Sequence, residues 1–187
     1  MADRLWNEYK IARSDDWRWF EDVASYANAR LSQALIVSGQ WMGNHAMLSA
    51  GLESLTWLMA HQKNVAGQFS PIGSDGFSRR GENRAQFDQQ PLEAWASISA
   101  CLSAGQATGN PAWIIQAESV FRWFLGANAL GQSLYDDVTG GCRDGLHPDR
   151  MNENQGAEST LSFLCSLAEI ESVLRSPAIA NTSGLLL

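Results

Sequence analysis

Gln90-Pro91-Leu92-Glu93-Ala94 recurs as Gln155-Gly156-Ala157-Glu158-Ser159, and a fainter copy, Ser25-Tyr26-Ala27-Asn28-Ala29, lies the same distance upstream. The period is roughly 65 residues, and a fixed period of that size signals a supersecondary unit used several times over. The segments in between match too: Glu53-Ser54-Leu55 with Glu118-Ser119-Val120, and Gly76-Phe77 with Gly141-Cys142. A chain built this way folds by packing like units side by side. Each copy sets polar residues ahead of a stretch rich in Ala, Ser, Cys and Leu, so equivalent polar side chains gather where equivalent helices begin.

Helical spacing dominates, and no segment alternates convincingly as a strand does. A first helix is predicted over 17–38, stopped by Gly39. A second covers 46–62, with Leu48, Leu52, Leu55, Leu58 and Met59 on one face, the mark of an outer amphipathic helix. A long loop, 64–86, carries four glycines and Pro71. A third helix starts near Asp88 as its N-cap, with Pro91 in the first turn. Its body, 94–105, is small or apolar on every side and so should be buried all round. Asn110-Pro111 opens a fourth helix with a stripe of Trp113, Ala117, Val120, Phe121 and Phe124. After a second long loop, 126–153, a last helix runs from Asn154 through Ile170, apolar nearly all round. The order is inner helix, outer helix, long loop, three times over, the last outer helix short or missing. This implies an all-α fold of repeated helical hairpins, a layered toroid or solenoid. An up-down bundle calls for shorter loops. The whole of 1–187 reads as a single domain with a frayed tail at 177–187.

Apolar residues make up 45% and charged residues 18% of the 187, the balance of a globular protein. A net charge of −7 argues against nucleic acid, whose phosphates need a basic patch. Cys101, Cys142 and Cys165 show no metal-like spacing, and their odd number fits a reducing compartment. The N-terminus lacks the apolar core of a signal peptide, and no run approaches a membrane span. A cytoplasmic location is expected. His45, His61 and His147 are too scattered for a metal triad, and no cofactor-binding fingerprint is present, so neither metal nor cofactor is expected.

The long loops precede the inner helices and should meet on one face, bringing polar residues with them. One group is Phe87-Asp88-Gln89-Gln90 with Glu93; another is Asp144, Asn152, Asn154, Gln155 and Glu158; the first helix adds Trp17, Trp19, Asn28 and Arg30. Gln90 and Glu93, like Gln155 and Glu158, stand three apart on one helical face. Glu93 and Glu158 sit in apolar helices where an acid needs a partner, and Arg30 or Arg84 are the candidates. These four acids, Asp88, Glu93, Asp144 and Glu158, carry two readings. They tie repeats together or cap helices, or they supply the carboxylate pair of glycoside chemistry. The eight tryptophans likewise are core residues or stacking platforms for sugar rings.

Trp17-x-Trp19-Phe20-Glu21 with Asn28-Ala29-Arg30-Leu31-x-Gln33-Ala34-Leu35 resembles the opening of a bacterial family of six-hairpin, glycosidase-like (α/α) toroid domains. So do Phe87-Asp88-Gln89-Gln90-Pro91-x-Glu93-Ala94 and Asp144-Gly145-Leu146 followed by Asn152-x-Asn154-Gln155-Gly156-Ala157-Glu158-Ser159-Thr160. Such domains often follow a glycosyltransferase catalytic domain. The resemblance covers about Asp15 to Val173. It implies about half of an (α/α)6 toroid, with Asp88, Glu93, Asp144 and Glu158 as candidate catalytic acids. Trp17, Trp19, Asn28, Arg30, Phe87, Gln89, Gln90, Asn152, Asn154 and Gln155 become candidate saccharide contacts, with Phe69 a further aromatic. Half a ring implies a fragment of a longer protein or a surface for association: a glycosyltransferase domain, a second half-toroid chain or another copy. Three functions follow in order. They are a saccharide-binding or -processing module tied to glycosyltransferases or polysaccharide metabolism, a glycoside-hydrolase-like enzyme, and a helical-repeat protein-interaction module.

Overall fold

The computed structural model describes residues 1–175. Among them are six helices: α1 (Ala2–Ala12), α2 (Ala29–Trp41), α3 (His45–His61), α4 (Pro91–Thr108), α5 (Ala112–Phe124) and α6 (Ala157–Leu174). Extended structure is confined to four two-residue strands, β1 (Val23–Ala24), β2 (Ser78–Arg79), β3 (Gly145–Leu146) and β4 (Met151–Asn152). The fold is all-α. The strands, which the sequence does not announce, pair antiparallel as β1 with β2 and β3 with β4, and they staple loops.

Helices α2 and α3 form one hairpin, α4 and α5 another, and α4 lies between α2 and α6. Near their starts Glu93 of α4 accepts from Asn28, and farther along Ser103 of α4 accepts from Gln33, so α2 and α4 run alike. Helix α6 follows the same sense: Tyr26, just before α2, donates to Glu158 at its start, and Ser99 of α4 donates to Glu169 well along it. Small residues make this row tight. Ala94, Ala96, Ala100, Cys101 and Ala104 of α4 are fully buried, and the second helices of the hairpins add the large core side chains Leu55, Leu58, Val120, Trp123 and Phe124.

Helix α3 lies within one residue of its predicted span at each end, and α5 starts at Ala112, just past Asn110-Pro111. Asn110 accepts the Ala112 N–H at 3.0 Å as its local cap. The first predicted helix is corrected. Residues 13–28 form a folded loop, and α2 begins only at Ala29. Trp17, Trp19 and Phe20 are all buried, and they enter the core from this loop. Gly39 does not end α2 either. A Cβ there would come within 2.5 Å of the Leu48 backbone nitrogen, so its bare Cα lets α2 and α3 touch. Helix α1, which the periodicity reading passes over, is fastened to α3 by the Tyr9 hydroxyl donating to Glu53 at 2.6 Å.

Two helix starts are also corrected. Gln90, extended at φ −115° and ψ 140°, is the N-cap of α4, and Asp88 lies two residues upstream. Helix α6 begins at Ala157, not Asn154, and Leu161 and Leu164 on it are exposed, so it is not buried all round as its composition suggests. The expected tail at 177–187 lies outside the described residues.

Candidate functional site

Three loop segments meet where α2, α4 and α6 start. The β1–β2 pair joins the loop before α2 to the loop before α4. The Gln89 N–H donates to the Leu146 carbonyl at 3.0 Å and the Leu146 N–H returns to the Gln89 carbonyl at 2.9 Å, joining the loops before α4 and α6. Gly145 makes this possible: a Cβ there would lie 2.5 Å from the Gln89 carbonyl oxygen and 3.0 Å from Asp88 Oδ1. The bridge also explains the late start of α4, since residue 89 must stay extended to pair.

Asp88 stands at this junction with a half-buried carboxyl. Its Oδ1 is buried and has no hydrogen-bond partner among the described residues; His147 Nδ1 faces it at 3.6 Å. Burial raises the Asp88 pKa above the usual carboxylate range. His147 opposes this, and the charges of Asp75 and Asp144 add to it. Asp75 is exposed on the rim, its N–H donating to the Phe87 carbonyl at 3.3 Å. Neither Asp75 nor His147 was a predicted site residue. His147 sits three after Asp144 in sequence, but only the Gln89–Leu146 bridge carries it to Asp88.

Asp144 is differently occupied. Burial raises its pKa, but hydrogen bonds from Ser159, Asn154 and the Gly156 N–H (2.8 Å) prevail and hold it below the ordinary carboxylate value. Those bonds cap α6 from a dozen residues upstream. Asn154 donates its side-chain amide to Asp144, and Asn152 Oδ1 accepts the Asn154 N–H at 3.2 Å. Gln155 turns away into the second loop, donating to Asp136 at 2.9 Å and accepting from Thr139 at 2.7 Å. Gln90 and Gln155 both precede their helices, so neither shares a helical face with the glutamate three residues on.

Glu93 and Glu158 are equivalent in the repeat and opposite in environment. Glu93 is 3% exposed, and its two oxygens accept from the Ala27 N–H, the Asn28 N–H (3.2 Å) and the Asn28 side-chain amide (3.0 Å). Burial pushes its pKa up to about 7 against the pull of these three donors. Asn28, itself buried, is thus a clasp between α2 and α4, and Ala27 beside it holds a positive φ of 47°, strained for a side-chain-bearing residue. The arginines expected to pair with Glu93 are engaged elsewhere. The Arg30 guanidinium lies 4.4 Å over the Trp95 ring and donates to Gln33, and Arg84 donates to the carbonyls of Pro71 and Lys63. Glu158, expected to be shielded, is exposed and accepts from the Tyr26 hydroxyl at 2.8 Å.

Three of the four expected aromatic platforms are buried. Trp17, Trp19 and Phe69 are core residues packed on Trp57, Phe20 and Trp123, so no ring face is open to a sugar; Phe87 alone of the four is half-exposed. Gln89 is also buried, donating to Ser70 at 3.1 Å and accepting from the Trp123 indole at 3.0 Å, while Gln90 is half-exposed. Among the described residues no helix is long and apolar enough to cross a membrane. No family model matches this chain, and no curated protein matches it either.

Proposed function

We propose that this chain is a saccharide-binding (α/α) toroid-type domain whose site is the polar mouth around Asp88. The observation that supports it is the buried Asp88 Oδ1, without a partner among the described residues, facing His147 at a point where two distant loops are bridged. An unsatisfied polar oxygen in a folded protein calls for a partner, and a sugar hydroxyl, donor and acceptor at once, supplies one. Asp75, Phe87 and Gln90 offer further contacts on the rim.

Binding is favoured over catalysis because the four acids are not equally free. Glu93 and Asp144 are committed to backbone and amide donors and Glu158 accepts from Tyr26, so of the four only Asp88 keeps a buried oxygen without a partner among the described residues. The opposed shifts of Asp88 (raised) and Asp144 (lowered) keep hydrolysis as the second reading, since such divergence marks acid and base partners in glycosidases. Association with a glycosyltransferase domain or another half-toroid chain draws on Leu161 and Leu164, exposed at one end of the helix row, and Val37 and Trp41, exposed at the other. Cys101 and Cys142, buried and unpaired, suit a cytoplasmic setting.

Isothermal titration with neutral oligosaccharides, followed by product analysis of the same mixtures, tests the proposal. Saturable binding without turnover that weakens at least about tenfold in Asp88→Asn supports it. Equal binding by wild type and Asp88→Asn contradicts it, and turnover abolished by Asp88→Asn and Asp144→Asn alike moves the assignment to hydrolysis.

A further inference from the structure

A concavity of about 790 Å³ opens between α2, α4, α6 and the turn joining α4 to α5, reaching the ends of α4 and α6 and away from their starts, where Asp88 and Asp144 lie. Arg30, Gln33, Ser99, Ser103 and Glu169 line it and are linked to one another directly or through Trp95. The Arg30 guanidinium covers the Trp95 face at 4.4 Å and donates to Gln33 at 2.8 Å. Gln33 donates to Ser103 at 3.0 Å, and Ser103 donates to the Ser99 carbonyl at 2.9 Å. The Ser99 hydroxyl and the Trp95 indole both donate to Glu169, at 2.7 and 2.9 Å. Arg30 and Glu169 are therefore fixed on the same indole, one over its face and one at its edge, without forming a salt bridge to each other.

The arrangement has chemical consequences. The two charges cancel across the cleft, so it carries no net attraction for an ion. Both keep hydrogen-bonding capacity: a guanidinium has five N–H donors, of which Gln33 takes one, and each Glu169 oxygen accepts only one of these bonds. Leu102 and Ile114 add an apolar wall, and the volume falls within the ~300–1,000 Å³ of small-molecule sites. Donors and acceptors in alternation, zero net charge and one apolar side match a ring bearing several hydroxyls.

We infer that this cleft binds a neutral polyhydroxylated ligand, a mono- to trisaccharide, between Arg30 and Glu169. The inference extends the saccharide reading to a second site but rests on the cleft's own chemistry, independent of Asp88. Two-dimensional NMR of nitrogen-15-labelled protein tests it, with maltotriose, cellotriose and chitotriose as probes and citrate and spermidine as charged controls. At least one trisaccharide is expected to shift the Arg30 side-chain N–H, the Gln33 amide and the Trp95 indole signals. Gln106→Trp, made at an exposed position that overhangs the cleft, should weaken that response at least about tenfold, and Gln33→Leu should weaken it as well. Asp88→Asn should leave it unchanged. The cleft is overturned if none of the three sugars moves these signals at millimolar concentration, if only the charged probes do, or if Asp88→Asn abolishes the response. Shifts at Arg30 with none around Asp88 would instead sink the mouth proposal and leave the cleft standing.

Discussion

Residues 90–94 and 155–159 hold equivalent places in the repeat, each helix start following a loop aspartate (Asp88, Asp144), and they diverge in three dimensions. At the first, the helix glutamate is sealed inside and the loop aspartate is left with an unsatisfied oxygen. At the second, the loop aspartate is fully used as a cap and the helix glutamate reaches solvent. Neighbours make the difference. Helix α4 is flanked by α2 and α6, so Glu93 meets the start of α2, whereas the face of α6 carrying Glu158, Leu161 and Leu164 has no helix against it among the described residues. A motif repeated in sequence fixes where a polar residue stands along its helix, while the adjoining helix decides whether it reacts, caps or clasps.

The sharpest way to break this contrast is to remove both glutamates in turn. Glu93→Ala strands three donors at the Ala27–Asn28 turn and should destabilise by about 3 kcal/mol, whereas Glu158→Ala, losing one exposed contact, should stay within about 0.5 kcal/mol. Denaturant melts of the two variants measure it, and equal losses would refute the claim that neighbours set the role. The same pair separates by pH. The folded chain holds the Glu93 proton more tightly than the unfolded chain does. Its contribution to stability is therefore present at low pH and declines as pH rises from the ordinary value of 4.5 through about 7. Asp144, held below its ordinary value, acts with the opposite sign: its contribution is present above the usual carboxylate range and is lost as pH falls through its lowered pKa. Melts across pH should lose the first slope in Glu93→Gln and the second in Asp144→Asn.

Packing offers a smaller contrast. Ala100→Leu forces a larger side chain into the fully buried middle of α4 and should cost about 1–3 kcal/mol, while Leu164→Ser on exposed α6 should change stability by less than about 0.5 kcal/mol. Asp144→Ala should lose about 1 kcal/mol through the α6 cap. Asp88→Asn should leave thermal stability nearly unchanged, since its buried oxygen holds no bond to lose. A large destabilisation by Asp88→Asn would make that residue structural and remove it from the mouth.

The repeat foretells much of this: helical hairpins, small-residue inner helices, and polar segments gathered at one end. Helices α3 and α5 were legible because an amphipathic stripe is a local property of the chain. The opening at 13–28 was not, because Trp17, Trp19 and Phe20 enter the core from a loop, where spacing no longer tells which way a side chain points. The strand pairs escaped notice for the opposite reason; two residues carry no periodicity. Which acid ends up free was illegible as well. It depends on the Asn28 clasp and on His147, brought to Asp88 by the bridge from Gln89 to Leu146.

That bridge is the point on which the mouth stands, and amide hydrogen exchange reads it directly. The Gln89 and Leu146 amides should exchange slowly and together, with protection close to that of the α4 core and equally reduced by Gly145→Val, whose side chain collides with the Gln89 carbonyl. Fast, independent exchange at both positions, like that of the exposed loop around Val65, would mean the two loops do not meet and that Asp88 and His147 form no common site.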